Sequence, residues 1–362
     1  MTKITCTSCA LPYPDTGLPH LCPRCGGVFG INHIDLAGEE AEEPGQPGIW
    51  RFRPSLPLPA DANPVYLGEG GTPLVKREIL GKRVAFKLEN LNPTGSFKDR
   101  GTAVLTSFML SRGISAVVED SSGNAGASLA AYSSAVGISS RIFVPESASG
   151  PKLQQMLASG AQVVRVSGAR EAAHQAALGF VKRQSLPYAS HALLPMGIAG
   201  IATIAYELVE QLGQMPGSVI APVGHGSLFL GLLLGMHALC NREPGTQLPV
   251  MVGVQPENCA PLAAHWENKA FAGCQGTSLA EGTQIERPVR GDQILKLLRP
   301  GMDVLTAVAE ADLLPAFKEL AEMGFYVEPT SAMAWCALRK MIEKLPEPVV
   351  LVFSGSGLKF RQ

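Results

Sequence analysis

The sequence predicts an α/β protein in which parallel sheets are covered by helices on both faces. Two observations carry this. Strand-like runs alternate with helical patterns from Val84 onward, the clearest strands being Ile114 to Val118, Arg141 to Val144, Val163 to Val166, Ser218 to Val223, Val250 to Val254 and Val349 to Phe353. Several of these runs are continuously apolar, which is how strands buried on both faces read. Composition agrees: 46% hydrophobic and 17% charged residues over 362 positions suit a compact chain of two domains or so plus an accessory element. A net charge of -1 provides no basic excess for nucleic acid or a membrane surface, so neither is an expected partner. There is no internal repeat or low-complexity tract.

In chain order, the first element is a cysteine knuckle. Cys6-Thr7-Ser8-Cys9 and Cys22-Pro23-Arg24-Cys25 are two CxxC pairs with twelve residues between them. Each CxxC turn directs two thiolates inward, and two such turns complete a tetrahedral zinc site, with Gly26-Gly27 supplying permissive backbone. Four thiolates leave no open coordination position, so zinc on Cys6, Cys9, Cys22 and Cys25 would be structural. A ribbon that keeps its shape without metal, or a pair of disulfides, fits the same spacing. Cys240, Cys259, Cys274 and Cys336 are scattered and read as buried apolar residues. The segment Met1 to Cys6 lacks the apolar core of a signal peptide, which places the chain in the cytoplasm with reduced thiols. The acidic and then Pro/Gly-rich stretch Glu39 to Gly48 reads as linker.

The run Asn92-Pro93-Thr94-Gly95-Ser96-Phe97-Lys98-Asp99-Arg100-Gly101 places a lysine at the mouth of a helix. Pro93 and Gly95 punctuate the chain, Ser96 is a suitable N-cap, and Val104, Leu105, Phe108 and Met109 recur at helical spacing until Arg112-Gly113. A cation beside the positive end of a helix dipole is a poor structural choice. Lys98 therefore reads as an amine nucleophile or as a solvated surface lysine, and this segment alone fits both.

Ligands of such sheets gather at the carboxyl ends of strands, and three loops there are informative. Glu119-Asp120-Ser121-Ser122-Gly123-Asn124-Ala125-Gly126 stands between the strand Ile114 to Val118 and the helical run Ala127 to Val136. Its hydroxyls and glycines at a helix start suit a carboxylate or phosphate, although ordinary capping by Ser121 or Ser122 fits as well. Pro222-Val223-Gly224-His225-Gly226-Ser227-Leu228 lets backbone close around a phosphate. It is neither a Walker loop nor a full dinucleotide fingerprint, and His225, without an identified acidic partner, reads as a packing or hydrogen-bonding residue. The stretch Ser218 to Cys240 is apolar over a bilayer's width, but this loop breaks it into a buried strand and a buried helix from about Leu228 to Leu239. Finally, Phe353-Ser354-Gly355-Ser356-Gly357-Leu358-Lys359 delivers the Ser354 hydroxyl from the last strand. Beside a heteroaromatic nitrogen such a neutral group would hydrogen-bond it without holding it protonated.

A first-turn lysine, a carboxylate-type loop, a phosphate-type glycine loop and a terminal hydroxyl together describe a site for pyridoxal 5'-phosphate. With these features the chain resembles the threonine synthase family of fold-type II pyridoxal-phosphate enzymes. The resemblance is carried by Glu69-Gly70-Gly71-Thr72-Pro73-Leu74, Asn92 to Gly101, Ser121 to Gly126, Pro222 to Leu228, Glu328-Pro329-Thr330-Ser331-Ala332 and Ser354 to Lys359, in the family's order. Many members also carry a zinc-ribbon-like N-terminus.

The resemblance implies a tryptophan synthase β-like fold of two parallel-sheet α/β domains with the cofactor between them. The expected division is a ribbon-like element over 1–32, a linker over 33–63, a large domain from 64–95 and 196–362, and a small domain over 96–195. Lys98 would bond the cofactor as a Schiff base and later shuttle protons, and Phe97 would pack against its ring. Asn124 would bond its phenolic oxygen, while Ser121, Ser122, Gly123 and Ala125 would hold the substrate carboxylate. Gly224, His225, Gly226, Ser227 and Leu228 would cradle the cofactor phosphate, with His225 where the family usually has asparagine, and Ser354 would face the pyridine nitrogen. The partner would be a small amino-acid substrate, and the fold type is often a homodimer.

For a threonine synthase, phosphate leaves the γ carbon of O-phosphohomoserine and water adds at the β carbon. Members using that substrate tend to carry an Asn-Pro-x-Arg-x-Glu-Gly-x-Lys-Thr-like segment. The matching region here is Leu194-Pro195-Met196-Gly197-Ile198-Ala199-Gly200-Ile201-Ala202-Thr203, with Gly197, Ala199 and Ala202 in place of arginine, glutamate and lysine. Gly168-Ala169-Arg170-Glu171-Ala172 likewise replaces a more usual aromatic-acidic sequence. A dianion binds poorly without cationic partners. The apolar segment instead suits β-elimination or β-replacement on another amino acid, as in a threonine/serine dehydratase-like or cysteate-synthase-like enzyme. A catalytically idle binding protein would not require Lys98, Asn124 and Ser354 together.

Overall fold

The computed structural model describes residues 2–36, 43, 45–243 and 245–360. Its elements begin with β1 (Ile4–Cys6), β2 (Phe29–Ile31), β3 (Leu74–Ile79), β4 (Lys82–Leu88), α1 (Lys98–Ser111), β5 (Ala116–Glu119), α2 (Asn124–Ala135), β6 (Ser139–Pro145), α3 (Pro151–Ala158), β7 (Gln162–Val166) and α4 (Arg170–Gln184). They continue with α5 (Met196–Leu212), β8 (Ser218–Pro222), α6 (Ser227–Arg242), β9 (Val250–Pro256), α7 (Pro261–Trp266), α8 (Gly291–Leu297), β10 (Val304–Val308), α9 (Glu310–Glu322), α10 (Pro329–Met341) and β11 (Val349–Phe353). The chain clusters into two compact units, Met1–Gly70 with Lys98–Gly200, and Gly71–Phe97 with Ile201–Phe360.

The second unit holds a six-stranded sheet in the order β10-β9-β8-β11-β4-β3. All its pairings are parallel except β3 with β4, a hairpin whose turn residues Leu80 and Gly81 both have positive φ. That is the backbone a two-residue hairpin turn requires. Strands β8 and β11 are buried at every position, which accounts for their unbroken apolar sequence. Ile220, Val252, Leu351 and Phe353 pack with Phe317, Leu320 and Leu338 of the covering helices, each fully buried side chain contributing about 1.5–3 kcal/mol. No helix among the described residues is long and apolar enough to cross a membrane.

The first unit holds the parallel sheet β5-β6-β7 and the antiparallel pair β1-β2. In its N-terminal part, Cys6, Cys22 and Phe29 form a small core with Ile4, Cys9, Leu11 and Tyr13 around them.

Three sequence expectations need correction. Of the linker expected over 33–63, residues 37–42 and 44 lie outside the described residues, but from Gly48 onward the chain is packed. Gly48–Ser55 is a short 3-10 segment burying Ile49, Trp50 and Phe52, and Trp50 Nε1 donates to Glu69 Oε1 at 2.9 Å. Glu69 also accepts from Tyr132 Oη at 2.7 Å and from the Leu67 N–H at 3.0 Å. The Pro/Gly composition hid an anchor whose partner lies 19 residues away.

Ser96 is not the cap of α1. It pairs as an isolated bridge with Gly355, two residues before the helix opens at Lys98, because its backbone is committed to that bridge. Lastly, Cys259 and Cys274 are not scattered thiols but a disulfide. The Gln275 N–H donates to Asn258 O at 2.7 Å, which closes the chain on itself and brings the two cysteines side by side.

Candidate active site

The expected site residues fall on both units, and each unit's share has its own construction. In the first unit Lys98 is the opening residue of α1. The next residue, Asp99, is fully buried and its Oδ1 accepts from Ser128 Oγ at 2.6 Å, which fixes the first turn of α1 against α2. Ser121, Ser122 and Gly123 link β5 to α2, which starts at Asn124 with Gly123 at the N-cap and no side-chain cap. A helix start without a side-chain cap is a setting that suits an anion. Gly126 is required by close approach: a Cβ there would lie 2.0 Å from Ser121 O and 2.8 Å from Met156 Cε. Ala125 follows as the first buried residue of the helix.

Behind this loop stand two carboxylates to which the sequence alone assigned no role. Asp120 Oδ2 meets His174 Nδ1 at 2.9 Å, and Oδ1 accepts from Tyr188 Oη at 2.6 Å. Burial alone would raise the Asp120 pKa, but these two bonds outweigh it and hold the carboxyl below its usual range. Glu119 Oε1 meets His191 Nδ1 at 3.0 Å. Burial and the adjacent Asp120 charge push Glu119 well above the ordinary carboxylate range, against the opposing influence of His191, Arg170 and Lys98. The Glu-Asp pair ahead of Ser121 was the available signal, and its histidine partners, 54 and 72 residues away, were not.

In the second unit, Ile220 pairs with Leu351 in parallel register, so Pro222 and Phe353 end adjacent strands at one level. Val223 to Gly226 and Ser354 therefore leave the same carboxyl edge. Gly224 and Gly226 are glycines for separate reasons. A Cβ on Gly224 would sit 2.6 Å from Gly282 O; Gly226 has φ +100°, and its Cβ would meet Ile294 Cδ1 at 2.6 Å and Arg290 Cβ at 2.9 Å. Helix α6 opens at Ser227 with Gly226 at its N-cap and no side-chain cap; Leu228 is buried behind it. His225 contributes its carbonyl to the Arg290 N–H at 2.9 Å. Arg290, which the sequence did not single out, is wholly buried there, and desolvation pulls its pKa down to about 9. A glycine cradle at an uncapped helix start fits a phosphate.

At the other end of this edge the Phe97 N–H donates to Ser354 O at 3.0 Å, and the Ser356 N–H donates to Gly95 O at 2.9 Å. The residues leading to Lys98 are thereby bonded to the segment carrying Ser354. Ser354 is itself hydrogen-bonded, for its Oγ donates to Glu328 Oε1 at 2.8 Å and lies 3.1 Å from Ser331 Oγ.

A lysine at a helix mouth, an uncapped anion loop and a glycine phosphate cradle at strand ends define a fold-type II pyridoxal-phosphate enzyme. Comparison with known proteins agrees, since the pyridoxal-phosphate dependent enzyme family matches residues 65–355. The chain is 32% identical to the threonine synthase of Methanocaldococcus jannaschii, over 98% of this chain and 92% of that one. It is also 32% identical to the threonine synthase of Synechocystis sp., over 86% and 82%. Among solved structures, a threonine deaminase from T.th. superposes with a TM-score of 0.68 at 28% identity, covering 80% of this chain and 94% of that one. The maize serine racemase, at 22% identity and TM-score 0.68, shares the fold over 79% of this chain and 88% of that one. The chain belongs to the threonine synthase family of pyridoxal-phosphate-dependent enzymes, and it is a lyase of that cofactor class.

Proposed function

We propose that this enzyme forms threonine and inorganic phosphate from O-phosphohomoserine and water. The observation that carries the reading is the match to a threonine synthase across 98% of the chain, which takes in the cysteine knuckle that the deaminase superposition, at 80%, need not include. Bound pyridoxal phosphate supplies the electron sink that makes the substrate's Cα proton acidic. Lys98 holds the cofactor through its Nζ and, once released, that amine takes the Cα proton. Ser121, Ser122, Gly123 and Ala125 bind the α-carboxylate, Asn124 orients the ring through its phenolic oxygen, and Phe97 packs against the ring. Gly224, His225, Gly226, Ser227 and Leu228 bind the cofactor phosphate through main-chain N–H groups.

The four N-terminal cysteines are assigned a structural zinc. Their sulfurs all lie within 4.8 Å of one another, with Cys6 to Cys25 at 3.5 Å and Cys9 to Cys22 at 3.6 Å. Zn–S bonds of about 2.3 Å give a tetrahedron with an edge of about 3.8 Å, so the set fits the ion. The enzyme is proposed to act in the cytoplasm.

A second reading is β-elimination on threonine or serine, favoured by the buried, uncharged start of α5. Ala199 and Ala202, which replace the glutamate and lysine of the family pattern, are both buried, and Gly197 stands in place of its arginine. Phosphate release from O-phosphohomoserine decides for the first reading. No phosphate, with 2-oxo acid formed from threonine or serine, would replace it by the second.

A further inference from the structure

The hydrogen-bond chain behind Ser354 has a direction. An ionised carboxylate only accepts, and a hydroxyl has one proton to give. Ser354 Oγ spends its proton on Glu328 Oε1, 2.8 Å away. Of the two hydroxyls 3.1 Å apart, Ser331 must then be the donor and Ser354 the acceptor, and Ser331 Oγ itself accepts from the Gly355 N–H at 3.3 Å. The order is thus Gly355 N–H to Ser331, Ser331 to Ser354, Ser354 to Glu328. Toward any further neighbour Ser354 has a lone pair and no proton.

The surroundings are built to keep Glu328 in that role. Glu328 and Ser354 are both buried, at 5% and 1% exposure. Glu328 is the N-cap residue of α10. Its own N–H donates to Gly355 O at 2.9 Å, and the carboxyl fills the space a side chain at Gly355 would need, since a Cβ there would fall 2.5 to 2.6 Å from the Glu328 carboxyl atoms. The neighbouring cation of this segment, Lys359, directs its ammonium to Thr94 O at 2.6 Å.

We propose that Glu328, acting through Ser354, keeps the ring nitrogen of the bound cofactor protonated. This rests on the proposed cofactor site, in which Lys98 holds pyridoxal phosphate and Ser354 faces its ring nitrogen. A lone pair offered by Ser354 is satisfied only by an N–H, so the proton, taken from solvent when the cofactor binds, stays on the ring. A protonated ring draws charge from the substrate more strongly. That suits γ-elimination, in which protons leave both Cα and Cβ before the Cγ–O bond to phosphate breaks, more than simple β-elimination, which removes only one. Glu328 is a positioning residue whose effect is exerted through the serine.

The test is nitrogen-15 NMR of the holoenzyme, reconstituted with pyridoxal phosphate labelled at the ring nitrogen and observed at neutral pH. The expected result is a protonated nitrogen in the wild type. Glu328→Gln offers Ser354 a donor amide in place of an obligate acceptor, and Gly355→Ala displaces the carboxyl. Each should lower the ratio of protonated to neutral ring by about tenfold, one pKa unit. Ser331→Ala, which leaves the Ser354 to Glu328 bond in place, should leave the signal protonated. An unprotonated wild-type ring overturns the proposal even if E328Q does not fold, as does a signal that E328Q leaves unchanged. Failure of the underlying reading looks different: borohydride would then fix no cofactor on Lys98, and the assignment of Glu328 would fall with it.

Discussion

Asp99 Oδ1 accepts a hydrogen bond from Ser128 Oγ at 2.6 Å, so the residue next to Lys98 is tied to the second turn of the helix that follows the Ser-Ser-Gly-Asn loop. Both residues are fully buried. Ser128 Oγ also lies 2.8 Å from Thr102 Oγ1, which ties it to α1 a second time. Ser128→Ala removes a charge-assisted bond, and a loss of about 1.5–3 kcal/mol is expected, read as a lower urea midpoint with an unchanged slope. An unaltered midpoint would show that the serine does not hold α1 in place.

Gly226 offers a cleaner test of the phosphate cradle. A side chain there meets both a left-handed φ of +100° and the side chains of Ile294 and Arg290. Left-handed strain alone costs roughly 1–2 kcal/mol, so Gly226→Ala should weaken cofactor binding about tenfold or more, measured by titrating apoenzyme with pyridoxal phosphate. Gly301→Ala is the control, having φ +80° but no atom within 4 Å of its Cβ position. It should cost some stability and leave cofactor affinity unchanged; equal affinities for the two variants would sink the cradle.

These positions also show how much a single chain discloses. Lys98, the Ser121 to Ala125 loop, the Gly224 to Leu228 loop and Ser354 were all legible, because each joins a buried strand or a turn to a helix within a few residues and the local chemistry is unusual. Six strands were legible for the same reason, their apolar runs being long and punctuated. Asp99 to Ser128, Asp120 to His174 and Trp50 to Glu69 were not, since nothing in the sequence pairs polar residues 19 to 54 positions apart. Glu328 stands within a legible motif, but its effect on Ser354 appears only once the direction of each hydrogen bond is worked out.

The cysteine knuckle should hold one zinc per chain by metal analysis. Cys25→Ser replaces a thiolate by a hydroxyl that remains protonated at neutral pH, a far poorer zinc ligand. The expected result is less than one zinc per chain and a lower melting temperature, both matched by chelator treatment of the wild type. Full zinc content in the Cys25 variant would place the metal elsewhere.

The pair His174 and Asp120 gives stability a pH dependence whose sign can be worked out. The hydrogen bond to Asp120 raises His174 above its ordinary 6.5, although burial opposes it. A group whose folded pKa is raised contributes fully below its unfolded value and loses that contribution as pH rises through the folded one. Asp120 is held below its ordinary 3.8, so its own contribution is lost only in acid, as pH falls through that depressed value. Stability should therefore decline from about pH 6.5 upward in the wild type, and His174→Asn should flatten that decline. Parallel profiles of denaturation midpoint against pH for the two proteins would refute the assignment.

At the start of α5, Gly197 stands where the family pattern has arginine and Gly200 where the pattern also has glycine. A Cβ on Gly200 would lie 2.2 Å from Arg100 O and 2.8 Å from Val104 Cγ2, and one on Gly197 would lie 3.0 Å from Gly101 O. Helix α5 thus begins with its backbone pressed against that of α1, so a side chain at Gly200 must displace backbone and one at Gly197 meets a tight contact. Overpacking of this kind costs typically about 1–3 kcal/mol, and Gly200→Ala, whose nearest obstacle is backbone, should fall at the upper end by urea denaturation. Gly197→Arg restores the residue type of the family pattern, yet it should destabilise the protein without lowering the KM for O-phosphohomoserine. A lower KM in that variant would mean that this helix start opens toward the substrate, contrary to the packing seen between α1 and α5.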